Sequence, residues 1–133
     1  MRSYRKIRVT VEETGVVLGD EVEVAESFSA RSIGLLGRRE LLPGSGLHIL
    51  RCRMVHMWFM RFAIDAVFLD RLRRIVGIDA SLQPWRLSRW WGQADSVLEL
   101  PAGSAEQYQL IVGQRIRLEE NDQENSAASS PYK

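Results

Sequence analysis

The sequence contains only one cysteine, Cys52, so no disulfide can form within the chain and a reducing compartment is favoured. Long apolar runs are also missing, because no stretch approaches the ~18 consecutive apolar residues that a membrane-spanning helix requires. The first residues, MRSYRKIRVTVEE, are basic but lack the apolar run of a secretory signal. From these absences we expect a cytoplasmic protein that does not insert into a membrane.

Charge of one sign is scarce as well, since the formal net charge is only +1 at pH 7. The charge is nevertheless uneven: residues 51–91 contain eight arginines and three aspartates, whereas residues 119–124 contain four acidic residues and no basic one. The composition, 45% hydrophobic and 26% charged, is that of a globular protein. We therefore expect one globular domain over residues 1–118 and a disordered acidic tail over residues 119–133.

The hydrophobic pattern favours β-structure. Ile7, Val9 and Val11 alternate with polar residues, which is typical of a half-buried strand. Comparable segments between turn-forming residues predict further strands at residues 21–24, 47–52, 64–69, 74–80, 97–100 and 115–118. Two short helices are expected, from Ser27 to Leu36 and from Ser104 to Leu110, each capped by its serine. The predicted fold is mainly β (α+β): a small, partly closed, antiparallel β-barrel-like sheet of six or seven strands with two short helices.

Four segments occur in an order and spacing that is similar to a known family. They are ARSIGLLGRREL at residues 30–41, GSGLHIL at residues 44–50, VHMWFMRFAIDAVFLD at residues 55–70 and VLELPAG at residues 97–103. Together they resemble the uncharacterised bacterial and archaeal family called domain of unknown function 192 (DUF192), over about residues 21–118. The resemblance implies a small barrel-like sheet with short helices, and it supplies no catalytic residues because none are established for the family.

The third segment departs from the usual family pattern. Where this chain has FMRFAID, the family usually has Trp-Met-Lys-Asn-Thr, an apolar residue, Pro, Leu and Asp, so that Met60 and Asp65 match and the residues between them do not. The departure resembles a subgroup with a Val-His, Met-Arg-Phe and Ile-Asp signature. Members of such a subgroup are often found beside pilus or secretion genes, which implies a weak link to those systems.

Two catalytic or metal-binding interpretations deserve comparison with plainer ones. Cys52, His56 and Asp65 have the residue types of a nucleophile, a base and an orienting group, but a lone cysteine is more often a small buried hydrophobe. A soft-metal site is conceivable because five candidate ligands lie close together: Cys52, Met54, His56, Met57 and Met60. Methionine more often fills gaps in a core. We expect no catalytic residues, no metal and no cofactor, with an unrecognised enzyme using His56 and Asp65 as the alternative.

A third interpretation is single-stranded nucleic-acid binding, since arginines and tryptophans are interleaved. The residues concerned are Arg71, Arg73, Arg74, Arg86, Arg89, Trp85, Trp90 and Trp91. Arginine neutralises phosphates and aromatic rings stack on bases. The nearly neutral chain lacks the high pI of a dedicated nucleic-acid binder, so this partner is disfavoured.

The favoured interpretation is a monomeric, non-catalytic binding or accessory module for a peptide, a protein partner or a small anionic ligand. Three of the four tryptophans lie in the loop Pro84 to Gly92, and we expect this loop and the segment His56 to Phe62 to form the two walls of a cleft. Consecutive side chains of an extended chain point to opposite sides, so one of Trp90 and Trp91 should stay exposed. The plainer alternative is that all the rings are core. The predicted binding residues are His56, Trp58, Arg61, Phe62, Trp85, Arg86, Trp90 and Trp91.

One structural ion pair is also predicted. Asp65 shares a strand face with Val67 and Leu69, so its carboxylate should point into apolar surroundings and require a charged partner. Arg31 is the expected partner, and Arg61 is the alternative.

Overall fold

The computed structural model describes residues 5–26 and 39–121, which form one seven-stranded sheet and one short helix. The strand order across the sheet is β5-β4-β6-β3-β2-β1-β7. The mainly β class and the number of strands are therefore confirmed. The elements are β1 (Lys6–Val11), β2 (Val17–Ala25), β3 (Gly44–Leu50), β4 (Ile64–Leu69), β5 (Ile75–Leu82), β6 (Ser96–Pro101), α1 (Ser104–Gln107) and β7 (Ile116–Glu120).

The sheet is buried on both faces at its centre. Every residue of β4 is buried, and alternate side chains enter two different hydrophobic clusters. Ala66 and Phe68 belong to the cluster that we call the outer cluster, whereas Val67 and Leu69 belong to the inner cluster, which also contains Val9 of β1. Since successive residues of a strand point to opposite faces, the two buried faces explain why every residue of this strand except Asp65 is apolar.

The two edges of the sheet meet at one end. The amide of Ile75, at the start of β5, donates to the carbonyl oxygen of Gln114 at 2.8 Å, and its own carbonyl accepts from the amide of Gly113 at 2.8 Å. The amide of Ile116 donates to the carbonyl of Arg73 at 2.8 Å. Hydrogen bonds therefore join the start of β5 to the start of β7 and the turn before it. The sheet curls into a partly closed barrel.

One strand pair differs from the antiparallel prediction. Strands β2 and β3 are parallel, with Val22 opposite Gly46 and Val24 opposite His48. A parallel pair needs a connection of a dozen or more residues, whereas an antiparallel pair needs only a tight turn. Residues 26–43 provide that length, and the other neighbouring strands of the sheet are antiparallel.

Of the two predicted helices, only the second lies within the described residues. The predicted helix from Ser27 to Leu36 lies outside the described residues. Helix α1 begins at the predicted residue but spans only Ser104–Gln107, and its cap is Gly103, in a left-handed conformation. The prediction that Ser104 is the cap was wrong, because its hydroxyl donates instead to the carbonyl oxygen of Pro101 at 2.6 Å. No helix in the described ranges is long and apolar enough to cross a membrane.

The sheet extends into the segment that was assigned to the acidic tail. Glu119 and Glu120 belong to β7 and pair with Arg8 and Ile7 of β1. Asn121 is buried, and its side-chain amide donates to the carbonyl oxygen of Asp20. Ordered structure therefore continues through Asn121, three residues past the predicted boundary at residue 118. Backbone pairing holds these polar residues, which have no hydrophobic signal in the sequence. Residues 122–133 lie outside the described part.

Candidate functional site

The two segments that were expected to lie side by side are joined directly by backbone hydrogen bonds. The amide of Met57 donates to the carbonyl of Arg86 and the amide of Trp85 donates to the carbonyl of Met57, both at 2.8 Å. Further along, the amide of Trp91 donates to the carbonyl of Arg53 at 3.0 Å. Residues 53–57 and 85–91 thus form a short antiparallel ladder, which we call the site ladder.

Ser88 fixes the register of the site ladder. It is buried, its amide donates to the carbonyl of Val55 at 2.9 Å, and its hydroxyl oxygen accepts from the amide of Val55 at 2.9 Å. The hydroxyl in turn donates to the carbonyl of Arg89 at 2.9 Å. One small side chain therefore satisfies backbone groups on both segments, which would otherwise be left without partners in a buried position.

Four aromatic rings gather at one end of the site ladder, and we call them the aromatic cluster. His56 stacks on Trp58 with ring centroids 5.5 Å apart. Trp58 lies 6.1 Å from Trp85, and Trp85 lies 4.8 Å from Phe59. Phe59 is 68% exposed and Trp85 is 56% exposed. The rings contact one another but leave much of their apolar area in water, which is typical of an interaction surface.

The two most exposed rings of this cluster are attached to unusual backbone. Phe59 has φ 67° and Trp85 has φ 68°, so both residues lie in the left-handed region. Bulky residues rarely adopt this conformation, which costs on the order of 1–3 kcal/mol. Such strain tends to occur at functional positions, where the surrounding structure holds a side chain in a required place.

The adjacent tryptophans Trp90 and Trp91 point to opposite sides, as their alternation predicts. Trp90 is 64% exposed. Trp91 packs against the outer cluster with its ring 5.9 Å from that of Phe68, and its indole nitrogen donates to Oδ2 of Asp79 at 3.3 Å. The prediction that one of the pair stays exposed is confirmed, and the alternative in which every ring is core is wrong.

The remaining predicted binding residues differ in their exposure to solvent. Arg61 and Arg86 are exposed, and neither forms an ion pair with another residue of the described ranges. Phe62 is half-buried and packs against the outer cluster, as Trp91 does. The structure therefore exposes five of the eight predicted residues, whereas His56, Phe62 and Trp91 are half-buried.

Backbone hydrogen bonds bring the two segments into direct contact, so no cleft separates residues 53–57 from residues 85–91. A cavity of about 530 Å³ lies instead near the other end of the site ladder. Residues of both chain segments line it, including Arg51, Cys52, Arg53, Met54, Trp90 and Asp95. Nε of Arg53 donates to the carbonyl of Ala94 at 3.2 Å, which ties its guanidinium to this wall.

The residues of the proposed nucleophilic trio have separate roles. The thiol of Cys52 is buried and donates to the carbonyl oxygen of Met54 at 3.0 Å. Nδ1 of His56 accepts from the amide of Trp58 at 3.3 Å. The carboxylate of Asp65 accepts hydrogen bonds from backbone amides. These contacts give each of the three residues a local structural role.

The structure also shows where residues of the metal interpretation lie. Among residues 5–26 and 39–121, no group of three or more His, Cys, Asp or Glu side chains could hold a metal ion. Met57 and Met60 are buried in the outer cluster, beside Val55 and Ile64. Their thioethers therefore contribute to hydrophobic packing.

Asp65 is completely buried, as predicted, and its carboxylate binds backbone amides. Oδ1 accepts a hydrogen bond from the amide of Ser81 at 2.8 Å. Oδ2 accepts from the amides of Gly103 at 3.2 Å and Ala105 at 2.8 Å. The side chain thus joins β4 to the end of β5 and to the first turn of α1. The ion pair with Arg31 stays a prediction because Arg31 lies outside the described residues, and the alternative partner Arg61 is exposed.

The arginines of the nucleic-acid interpretation are split between two places. Arg71, Arg73 and Arg74 lie in the β4–β5 turn, which follows the last residue of β4. The aromatic cluster lies toward the first residue, because Ile64 pairs with Leu82 and Trp85 follows soon after. Opposite ends of this strand separate the basic turn from the aromatic cluster, so Arg71, Arg73 and Arg74 do not share one surface with Trp85.

Sequence reasoning missed two residues, Leu87 in the site ladder and His48 in β3. Leu87 pairs with His56 in the site ladder and is exposed, yet a single leucine in a loop gives no signal. His48 is buried on the inner face of β3, and its Nε2 has no hydrogen-bond partner among the described residues. Burial, together with the nearby charges of Arg73 and Arg5, lowers the pKa of His48 to about 4. Its position between Leu47 and Ile49 in an apolar strand was the available signal.

Comparison with known proteins places these features in a family context. The profile of the DUF192 family, described as "Uncharacterized ACR", matches residues 9–118. A UPF0127 protein of Pyrococcus horikoshii is 31% identical over 100 residues, which cover 73% of this chain and 86% of that protein. A UPF0127 protein of Thermococcus sibiricus is 30% identical over 125 residues, which cover 88% of this chain and 77% of that protein.

Two solved structures share the fold. A protein of unknown function from Novosphingobium aromaticivorans has a TM-score of 0.72 and 24% identity, with 84% of this chain and 83% of that chain covered. A Sinorhizobium meliloti protein, whose name assigns it provisionally to transcription regulators, has a TM-score of 0.69 and 27% identity, with 89% and 97% covered.

Proposed function

The chain belongs to the DUF192 family, and we propose that it is a binding module that recognises an extended acidic peptide segment with apolar side chains in a partner protein. The observation that carries this proposal is the contact between Phe59 and Trp85, two exposed rings whose residues are both held in the left-handed backbone conformation. Strain and exposed apolar area both lower the stability of the free protein. A partner that covers these rings offsets the second cost.

The shape of the surface suits an extended chain. The site ladder connects the aromatic cluster at one end with the 530 Å³ cavity at the other, where Trp90 is exposed. The strip follows residues 51–59, and an extended peptide of roughly six to eight residues at ~3.3 Å per residue would cover it. Large rigid rings supply contact area at such surfaces with little loss of side-chain entropy.

The charge of the surface favours an acidic partner. Arg61 and Arg86 flank the aromatic cluster, and Arg51 and Arg53 line the cavity, where Asp95 is the only acidic residue among the lining residues described. Arginine forms directional, charge-assisted hydrogen bonds with carboxylates. A peptide with alternating acidic and apolar side chains would match both features of the strip.

The proposal extends to the setting in which the module acts. We propose that the module acts in the cytoplasm as a monomer, without cofactor, metal or catalytic residues. The resemblance to a subgroup found beside pilus or secretion genes makes proteins of those systems the first candidate partners to test.

Selection from a displayed random-peptide library, followed by fluorescence anisotropy with a selected peptide, tests the proposal. Enriched peptides should combine acidic and apolar residues. Trp85→Ala should weaken binding by at least about tenfold, the effect of losing one central aromatic contact. Ile111→Ala is the matched control, because Ile111 is a similarly exposed apolar residue outside the strip, and this variant should bind as the parent does.

Three results would overturn the proposal: enrichment of basic peptides, no enrichment, or equal weakening by Trp85→Ala and Ile111→Ala. A single-stranded oligonucleotide is tested in parallel, since a structural relative has a provisional name as a transcription regulator. If the oligonucleotide binds with the same dependence on Trp85 and the peptides do not, the aromatic cluster is a base-stacking surface instead.

A further inference from the structure

A second cavity lies at the open end of the barrel, away from the site ladder. It has a volume of about 320 Å³ and is bounded by the start of β1, the end of β3, the β4–β5 turn and the end of β7. Its apolar wall consists of Ile7, Leu50 and Leu118, all of which belong to or pack against the inner cluster. This wall can accommodate a small apolar group, and the rest of the lining is polar.

His48 provides the most unusual part of the polar lining. The residue is only 5% exposed and lines this cavity. Its Nε2 has no hydrogen-bond partner among the described residues. A buried polar atom without a partner costs on the order of 1–3 kcal/mol. The imidazole lines the cavity, so its unpaired nitrogen is a candidate hydrogen-bond partner for a molecule bound there.

The charges around the cavity leave an excess of positive charge. Nε of Arg5 and Oε2 of Glu120 form an ion pair at 3.4 Å, so their charges largely cancel. Glu119 follows Leu118, which points to the inner cluster, so the alternation of β7 directs the Glu119 side chain outward. Arg73 lines the cavity and forms no ion pair with another described residue. One uncompensated guanidinium therefore faces the cavity.

The lowered pKa of His48 agrees with this excess of positive charge. Its pKa is lowered by burial first, then by Arg73 and by Arg5, whereas Asp95 acts in the opposite direction. The ring is therefore neutral at pH 7 and lies in a positive local potential. An anion that enters the cavity would reduce this potential.

We propose that the open end of the barrel is a binding site for a small organic oxyanion, a carboxylate or a phosphate, with Arg73 and His48 as its recognition residues. The guanidinium of Arg73 supplies paired N–H donors with the geometry of an oxyanion. Nε2 of His48 gains a hydrogen-bond partner, and Leu50 and Leu118 contact the apolar part of the ligand. The site is independent of the peptide surface proposed above.

Nitrogen-detected NMR of the two imidazoles in the full-length protein tests the site. Inorganic phosphate and succinate are titrated separately, at constant ionic strength and fixed pH. At least one should produce a saturable shift of the His48 signals with an apparent Kd on the order of millimolar, while the signals of His56 stay unchanged. The comparison of the two anions distinguishes a phosphate site from a carboxylate site.

Two variants of the same turn separate a specific site from general charge. Arg73→Gln should weaken anion binding by about tenfold, the effect of losing a charge-assisted hydrogen bond. Arg71→Gln removes an equal charge from an exposed neighbour that does not line the cavity, and it should bind as the parent does. Because anion binding raises the pKa of His48, affinity should also increase as the pH falls.

The proposal is overturned if neither anion produces a saturable shift of the His48 signals in the parent protein. It is equally overturned if Arg71→Gln and Arg73→Gln weaken binding to the same extent, because the effect is then nonspecific. The titration of the parent protein decides the matter even if Arg73→Gln does not fold. The peptide-binding test involves neither residue, so the two proposals can fail separately.

Discussion

The indole ring of Trp91 lies directly against Gly77, leaving no space for a side chain there. A Cβ atom added at Gly77 would clash with three atoms of the indole ring. Gly77 pairs with Phe68, whose ring also contacts Trp91, so the tryptophan closes over the β4–β5 hairpin and anchors the loop that contains the site ladder. The exposed aromatic surface therefore depends on a glycine that contributes nothing to that surface itself.

Replacing this glycine should displace the ring. We expect Gly77→Ala to lower the free energy of unfolding by about 1–3 kcal/mol, the usual cost of overpacking, and to change the near-ultraviolet circular dichroism of tryptophan. Chemical denaturation measures the first effect. Gly92→Ala is the control, since the nearest atom to a Cβ there is Nε1 of Trp90 at 3.7 Å, an ordinary contact. Equal stability of the two variants would contradict the close packing at Gly77.

The left-handed backbone of Phe59 predicts an unusual order of stability. At most positions alanine is more stable than glycine by about 0.5–1 kcal/mol, whereas a left-handed conformation favours glycine by roughly 1–2 kcal/mol. Phe59→Gly should therefore be more stable than Phe59→Ala, although both lose the contact with Trp85. The same two substitutions at Trp58, which does not have a positive φ, should show the ordinary order. Thermal or denaturant unfolding of the four variants gives the comparison.

Much of the sheet could be predicted because its strands have local signals. Alternation identifies β1, and an apolar run between polar turns identifies β4. The parallel pairing of β2 with β3 has no such signal, since orientation depends on the length and path of a connection rather than on the residues that pair. The number of strands is thus readable from local patterns, but their directions are not.

The candidate site was predictable to a similar degree. Alternation correctly separated exposed Trp90 from packed Trp91, because that rule needs only neighbouring residues. The backbone partners of Asp65 were missed, since the amides of Gly103 and Ala105 lie 38 and 40 residues further along the chain and backbone groups leave no mark in a sequence. A buried acid suggested a charged partner, and among the described residues the fold supplies backbone donors.

The three amide donors give Asp65 a testable structural role. Asparagine keeps the shape of the side chain but has one oxygen, so its NH₂ group would face at least one amide donor that Asp65 now satisfies. We expect Asp65→Asn to lower the free energy of unfolding by about 3 kcal/mol, since charge-assisted bonds are lost and a buried donor is left unpaired. Denaturant unfolding provides the measurement.

Asp70 offers a matched control for that substitution. Its Oδ1 alone accepts from the amides of Leu72 and Arg74, both at 2.9 Å, so an asparagine oxygen can replace it. Asp70→Asn should cost less than about 1 kcal/mol, as expected for a turn position that tolerates either residue. If Asp65→Asn is as mild, the carboxylate does not hold β4, β5 and α1 together.

The buried imidazole of His48 should make stability depend on pH in a defined range. Burial and the charges of Arg73 and Arg5 lower its pKa from 6.5 to about 4 in the folded protein, against the opposing effect of Asp95. Between these values the unfolded chain binds a proton that the folded protein does not, so the free energy of unfolding increases with pH. Stability is therefore fully present above pH 6.5 and is lost as the pH falls towards 4.

The size of this effect and its source can be measured together. At ~1.4 kcal/mol per pKa unit, the His48 contribution lost over the whole range is about 3 kcal/mol, and it comes on top of the titration of carboxylates. The measurement is the difference in unfolding free energy between parent and His48→Gln as a function of pH, because subtraction removes the carboxylate effect. A His48→Gln curve parallel to that of the parent would show that the buried imidazole titrates as it does in the unfolded chain, and its burial would then have no electrostatic consequence.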